Sequence, residues 1–150
     1  MPDLEECKTG KYLHVNAAAK PLEISSPNWA GGGNYYDGLN CFWLVKAPED
    51  ATVLVYIANV TIRAGDWMDV RGGPSVNSQL LFKCASMRCG GRGRSVRSSN
   101  RYARVNFVTN SAVVAAGFRL FASVSGVAAG PSGRVAGRMM DGSESSRFVV

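Results

Sequence analysis

Several residue sets in this sequence have side chains that do chemistry. They are the carboxylates Asp66 and Asp69, the cysteines Cys7, Cys41, Cys84 and Cys89, the single histidine His14, and a run of arginines from Arg88 to Arg104. Two nearby carboxylates could serve a glycosidase as acid and nucleophile. Side chains alternate across a strand, however, so a spacing of three sends Asp66 and Asp69 to opposite faces. Nucleophilic catalysis would have to recruit His14, and no nucleophile-elbow pattern accompanies it. His14 is therefore expected at the surface. The glycines Gly31-Gly32-Gly33 precede no helix signal, which removes a phosphate cradle. The chain is expected not to be an enzyme.

Four cysteines permit two disulfides in three possible pairings. Zinc is the rival, and it wants clustered Cys and His at short spacings. Only Cys84-x4-Cys89 is short; the other two cysteines are dispersed and one histidine is present. Disulfides are the better expectation, and they imply an oxidising, extracellular compartment. The sequon Asn59-Val60-Thr61 agrees with that, making Asn59 a candidate glycosylation site. No apolar h-region follows Met1, so no signal peptide is read there. The apolar stretches, such as Val53-Leu54-Val55-Tyr56-Ile57-Ala58, fall far short of the roughly 18–20 residues of a membrane span.

The arginines form the second candidate site: Arg88, Arg92, Arg94, Arg97, Arg101 and Arg104, in a Gly/Ser-rich loop running into a strand. The planar guanidinium suits sulfate, phosphate and carboxylate. A solvated basic loop is the plain alternative. Nucleic acid would need aromatics interleaved with the arginines, and only Tyr102 is so placed. Charge over the whole chain is uneven. Residues 1–70 carry five basic and nine acidic side chains, a net of −4, and residues 71–150 carry twelve and two, a net of +10. The formal +6 is thus two opposed signs partly cancelling, which suits an anionic partner or a self-complementary assembly.

The elements that must position these residues read as strands. The chain has 150 residues, 46% of them hydrophobic and 19% charged, enough for one folded domain. No segment keeps an uninterrupted helical spacing of apolar residues. Strand signals recur instead at Leu39 to Val45, Thr52 to Ile62, Trp67 to Val70, Gln79 to Lys83, Tyr102 to Val108 and Phe118 to Val124. Thr52 to Ile62 is apolar on both faces and is expected to be a central strand. Short strands with turns between them predict an all-β, antiparallel sandwich. From Ser125 to Val150 the composition turns to Gly, Ser and Arg, so residues 125–150 are expected to form a tail outside a 1–124 domain.

Motifs in order along the chain carry a family resemblance. Ile24-Ser25-Ser26-Pro27-Asn28-Trp29, Tyr35-Tyr36 and Cys41-Phe42-Trp43-Leu44-Val45 come first. Ala47-Pro48-Glu49, Asp66-Trp67-Met68-Asp69-Val70, Arg71-Gly72-Gly73 and Phe82-Lys83-Cys84 follow. Ser98-Ser99-Asn100, Arg104-Val105-Asn106-Phe107 and Gly117-Phe118-Arg119-Leu120-Phe121 close the series. Together they resemble a CUB domain over residues 5–124, a divergent member with a jelly-roll-like sandwich. The resemblance implies a Cys7–Cys41 disulfide, with Trp43 packed over it. The family's third cysteine position is Ala64 here, which leaves Cys84 and Cys89 to pair locally.

Many CUB domains bind calcium through a Glu and two Asp residues. On this sequence those positions fall at Thr61, Asp66 and Asn110, so one carboxylate of three is kept. Calcium affinity follows ligand charge, so Asp66 and Asn110 are expected to form at most a degenerate calcium site. A turn aspartate bonded to local backbone is the alternative for Asp66. The functional expectation is a secreted, non-catalytic module that contacts another protein or an anionic glycan. The alternative is a structural subunit of an extracellular assembly or filament, built by head-to-tail self-association and the C-terminal tail.

Overall fold

A computed structural model describes residues 10–16, 20–29, 33–110 and 114–127. Cys7 and most of the expected tail lie outside the described residues. Among the described residues nine strands are formed: β1 (Lys11–His14), β2 (Leu22–Ser25), β3 (Asn40–Lys46), β4 (Ala51–Thr61), β5 (Trp67–Arg71), β6 (Leu80–Cys84), β7 (Ser95–Arg97), β8 (Tyr102–Val108) and β9 (Gly117–Val127). They make two sheets, ordered β1-β3-β8-β5-β6 and β2-β9-β4-β7. All pairings are antiparallel except β1 with β3, which is parallel. Among the described residues no helix is long and apolar enough to cross a membrane.

Alternation produces the core. Val53, Val55 and Ile57 of β4, Val105 and Phe107 of β8, and Phe118, Leu120 and Ala122 of β9 are all fully buried. Their neighbours Tyr56 and Arg104 point outward. Strand β4 lies between β9 and β7, as its two apolar faces predict. Strand β9 runs on to Val127, three residues beyond the break expected at 124.

Four rings tie the sheets together edge to face. Tyr35 meets Phe107 at 5.0 Å between centroids, Phe107 meets Phe118 at 5.1 Å, and Trp43 meets Phe118 at 5.6 Å. Such contacts each add about 0.5–1.5 kcal/mol beyond area burial. Phe107 and Trp43 come from one sheet and Phe118 from the other, so the series spans the sandwich.

Gly117 opens β9 with φ +98°, and a Cβ there would meet Ser26 Oγ at 1.9 Å. The space is needed because Ser26 Oγ accepts a hydrogen bond from the Phe118 N–H at 3.0 Å. Only glycine satisfies both the backbone angle and the contact.

Candidate functional site

Asp66 ends the connection from β4 to β5 and is 1% exposed. Its Oδ2 accepts from the Tyr35 hydroxyl at 2.8 Å, and its Oδ1 accepts from the Asn110 backbone N–H at 2.9 Å. The Tyr35 oxygen in turn accepts from the Arg63 N–H at 2.9 Å. Three loops thus converge on one carboxylate at one end of the sandwich. Burial pushes the Tyr35 phenol up to about 12; the Arg63 N–H works against this, and the Asp66 carboxylate reinforces it. Asp66 does follow a turn, but these two donors come from 31 and 44 residues away rather than from the local backbone expected.

This donor set does not fit calcium. Of the three positions the resemblance assigns to the metal, only Asp66 carries charge, and both its oxygens already accept hydrogen bonds. Six to eight oxygens with ample negative charge are what the ion requires. Among the described residues no group of three or more His, Cys, Asp or Glu side chains is clustered for a metal.

Asp69, three residues on, is also 1% exposed. It lies on the outer side of the five-stranded sheet, so it shares nothing with Asp66. Arg71 donates to Asp69 Oδ2 from Nε at 3.1 Å and from Nη2 at 3.0 Å. Asn106 Nδ2 donates to Asp69 Oδ1 at 2.8 Å, and Arg104 Nε donates to Asn106 Oδ1 at 2.8 Å. The Arg104 guanidinium stands 4.1 Å from the centroid of the Phe42 ring. Sequence reasoning missed Arg71 and Asn106, although strand alternation already put both on the face of Asp69.

The six arginines singled out from the sequence are divided between the two sheets. Arg97 lies on β7, at the edge of the four-stranded sheet, and Arg92 and Arg94 precede it. Arg88 is exposed in the loop closed by the Cys84–Cys89 disulfide. Arg104 lies on β8 in the other sheet, and Arg101 just before it donates to the Ala47 carbonyl at 3.0 Å.

Cys84 and Cys89 are disulfide-bonded, with Cα atoms 5.3 Å apart, as the local pairing expects. Cys41 is also disulfide-bonded and is buried in the core; the Cys7 of the expected pair lies outside the described residues. Trp43 is buried edge-on to Phe118. His14 is exposed on β1. Asn59 is half-buried at a register shift in β4, opposite Arg119 of β9.

Comparison with known proteins agrees with this architecture. The CUB domain family matches residues 14–121. Cubilin from Sus scrofa is 28% identical over 123 residues, covering 79% of this chain and 3% of cubilin. Exoskeleton protein RP43 from Riftia pachyptila is 27% identical over 100 residues, covering 63% of this chain and 23% of that protein. The chain therefore spans a small part of these relatives. Among solved structures, the extracellular region of zebrafish Gpr126/Adgrg6 is similar with a TM-score of 0.61 at 18% identity, over 76% of this chain and 14% of that one. The MASP-1 CUB2 domain bound to Ca2+ is similar with a TM-score of 0.56 at 16% identity, over 75% of this chain and 96% of that one. With the family matched over most of its length and the two-sheet sandwich in place, the chain belongs to the CUB domain family.

Proposed function

We propose that this chain is a non-catalytic extracellular binding module that engages a protein partner without calcium. The observation that carries the reading is the CUB match over residues 14–121. The Cys84–Cys89 disulfide supports an oxidising compartment. A similar solved structure comes from an extracellular region, and one relative is an exoskeleton protein. Binding that needs no metal is supported by the single carboxylate among the three positions the resemblance assigns to calcium. Asn59 carries a glycan on the half-buried part of β4 in this reading.

The test is intact mass before and after reduction, followed by cross-linked capture of companions from the native fluid. A mass gain on reduction and a stoichiometric protein companion are expected. Unchanged mass means reduced cysteines and overturns the extracellular reading.

The likeness to an exoskeleton protein and the opposed charges of the two halves favour one second reading, a subunit of an extracellular assembly. Head-to-tail contacts that do not close give filaments. A monomer in size-exclusion chromatography at low salt, where charge pairing is strongest, would defeat it.

A further inference from the structure

The outer face of the five-stranded sheet carries a line of cations, one on each of four neighbouring strands. In register, Lys83 of β6 stands opposite Asp69 of β5, two residues from Arg71. Arg71 stands directly opposite Arg104 of β8. Arg104 stands opposite Leu44 of β3, two residues from Lys46. Each step across the sheet therefore moves level or in the same direction along the strands, and the four charges form a diagonal. Lys46 is opposite His14 of β1, where the line meets the edge.

The intervening residues Val45, Val70, Phe82 and Val105 are buried in the core, which fixes the four cations outward. Directly opposed residues are about 5 Å apart and diagonal ones about 7–8 Å, so the line runs on the order of 20 Å.

Two features show that this line has charge to spare. Arg71 and Arg104 are like charges directly opposite, an arrangement that destabilises a sheet unless something offsets it. Among the described residues one carboxylate, Asp69, serves both: it pairs with Arg71 directly and reaches Arg104 through Asn106. The arginines are also held in place. Arg104 donates to Asn106 and to the Pro74 carbonyl, and Arg71 donates to Asp69 and to the Ser78 carbonyl. Side chains already ordered in this way lose little freedom when their charge meets an anion. At the two ends, Lys83 lies 5.2 Å from the Trp67 ring centroid and Lys46 is half-exposed.

We propose that this diagonal, Lys83–Arg71–Arg104–Lys46, binds a linear sulfated polysaccharide laid across the strands. A straight row of fixed cations matches an extended chain that repeats its anionic groups, and charged N–H donors suit sulfate oxygens. The face is the middle of a sheet, where the backbone donors are already used between strands, so a peptide could not add as a further strand. Tyr12, 66% exposed beside Phe42, offers a ring next to the line for the apolar side of a sugar. The inference rests on the extracellular reading, since that is where sulfated glycans are met.

The probe is a heparin octasaccharide, titrated at about 0.15 M salt. Wild type is expected to bind. The double variant Lys46→Gln/Lys83→Gln should bind about tenfold more weakly with a shallower salt dependence. The triple variant Arg92→Gln/Arg94→Gln/Arg97→Gln, in β7 and the loop before it, should bind as wild type does. Melting temperature confirms that each variant folds, and the single lysine variants stand in if the double does not. No binding by wild type, or a loss confined to or equal in the triple variant, overturns the proposal. So does a polyglutamate peptide that binds as tightly as heparin and responds to the same lysines, which would assign the face to an acidic protein. An oxidised chain that keeps its protein companion but ignores heparin defeats this inference alone, whereas reduced cysteines defeat the reading beneath it.

Discussion

Asp66 and Asp69 lie three residues apart and each is 1% exposed, yet neutral donors hold the first and a cation holds the second. Asp66 sits where three loops meet, and the hydroxyl and amide that reach it belong to segments far apart in the chain. Asp69 sits within a sheet, and its partners are on its own strand and the neighbouring one. A buried carboxylate costs free energy unless it is hydrogen-bonded or paired. At the loop end it draws connections together, and across the sheet it permits two arginines to face each other. The first is a matter of holding the fold and the second of shaping a surface, and the two should separate under mutation.

Asp66→Ala should have the largest effect. It removes the acceptor of both the Tyr35 hydroxyl and the Asn110 amide. Hydrogen bonds to a charged group contribute about 1.5–3 kcal/mol each and do not add fully, so a loss of about 3 kcal/mol is expected. Urea unfolding measures it. A loss below that of Asp69→Ala would mean that the loop end is not the more demanding of the two sites.

The alkaline limb is the next effect. Tyr35 is held neutral in the fold up to about 12, against 10.0 for the free side chain. The unfolded chain then releases the Tyr35 proton first as pH rises, and stability falls. The contribution is complete below pH 10 and is lost between 10 and about 12. It amounts to about 2–3 kcal/mol. Tyr35→Phe should flatten this limb, as measured by denaturant midpoints across that range. No such limb is expected from the Asp69 network, which holds no tyrosine.

The Asp69–Arg71 pair should be worth less. Arg71 keeps 25% of its side chain exposed, so water screens the pair. A double-mutant cycle with Asp69→Asn and Arg71→Gln should give a coupling of about 1 kcal/mol. Coupling should appear between Asp69 and Asn106 as well, and should be absent between Asp69 and Asp66.

The same contrast explains what could be read without a structure. Strands β3, β4, β8 and β9 carry seven to eleven residues and show their alternation plainly. Strands β1, β2 and β7 have four, four and three residues, too few for a period to stand out, and they were not anticipated. Asp66 was found as a turn residue, but nothing local in the sequence pairs it with Tyr35. The arginine run looked like one patch because it is contiguous. Register and sheet assignment decide otherwise, sending Arg97 to one sheet and Arg104 to the other. The cation diagonal needs four strand registers at once, and those arise from long-range pairing.

Calcium provides the smallest expected effect and a sharp one. A ligand that binds only the folded state raises stability in proportion to the logarithm of its excess over Kd. Asp66 is the one carboxylate at the three assigned positions, and Thr61 and Asn110 add no charge. The melting temperature should therefore be the same in millimolar calcium and in chelator. Asp66→Ala should lower it equally in both, because what is lost is a set of internal hydrogen bonds. A calcium-dependent rise in wild type that vanishes in Asp66→Ala would place a metal at the loop end after all. It would also make Asp66 a ligand, leaving Asp69 as the purely structural carboxylate.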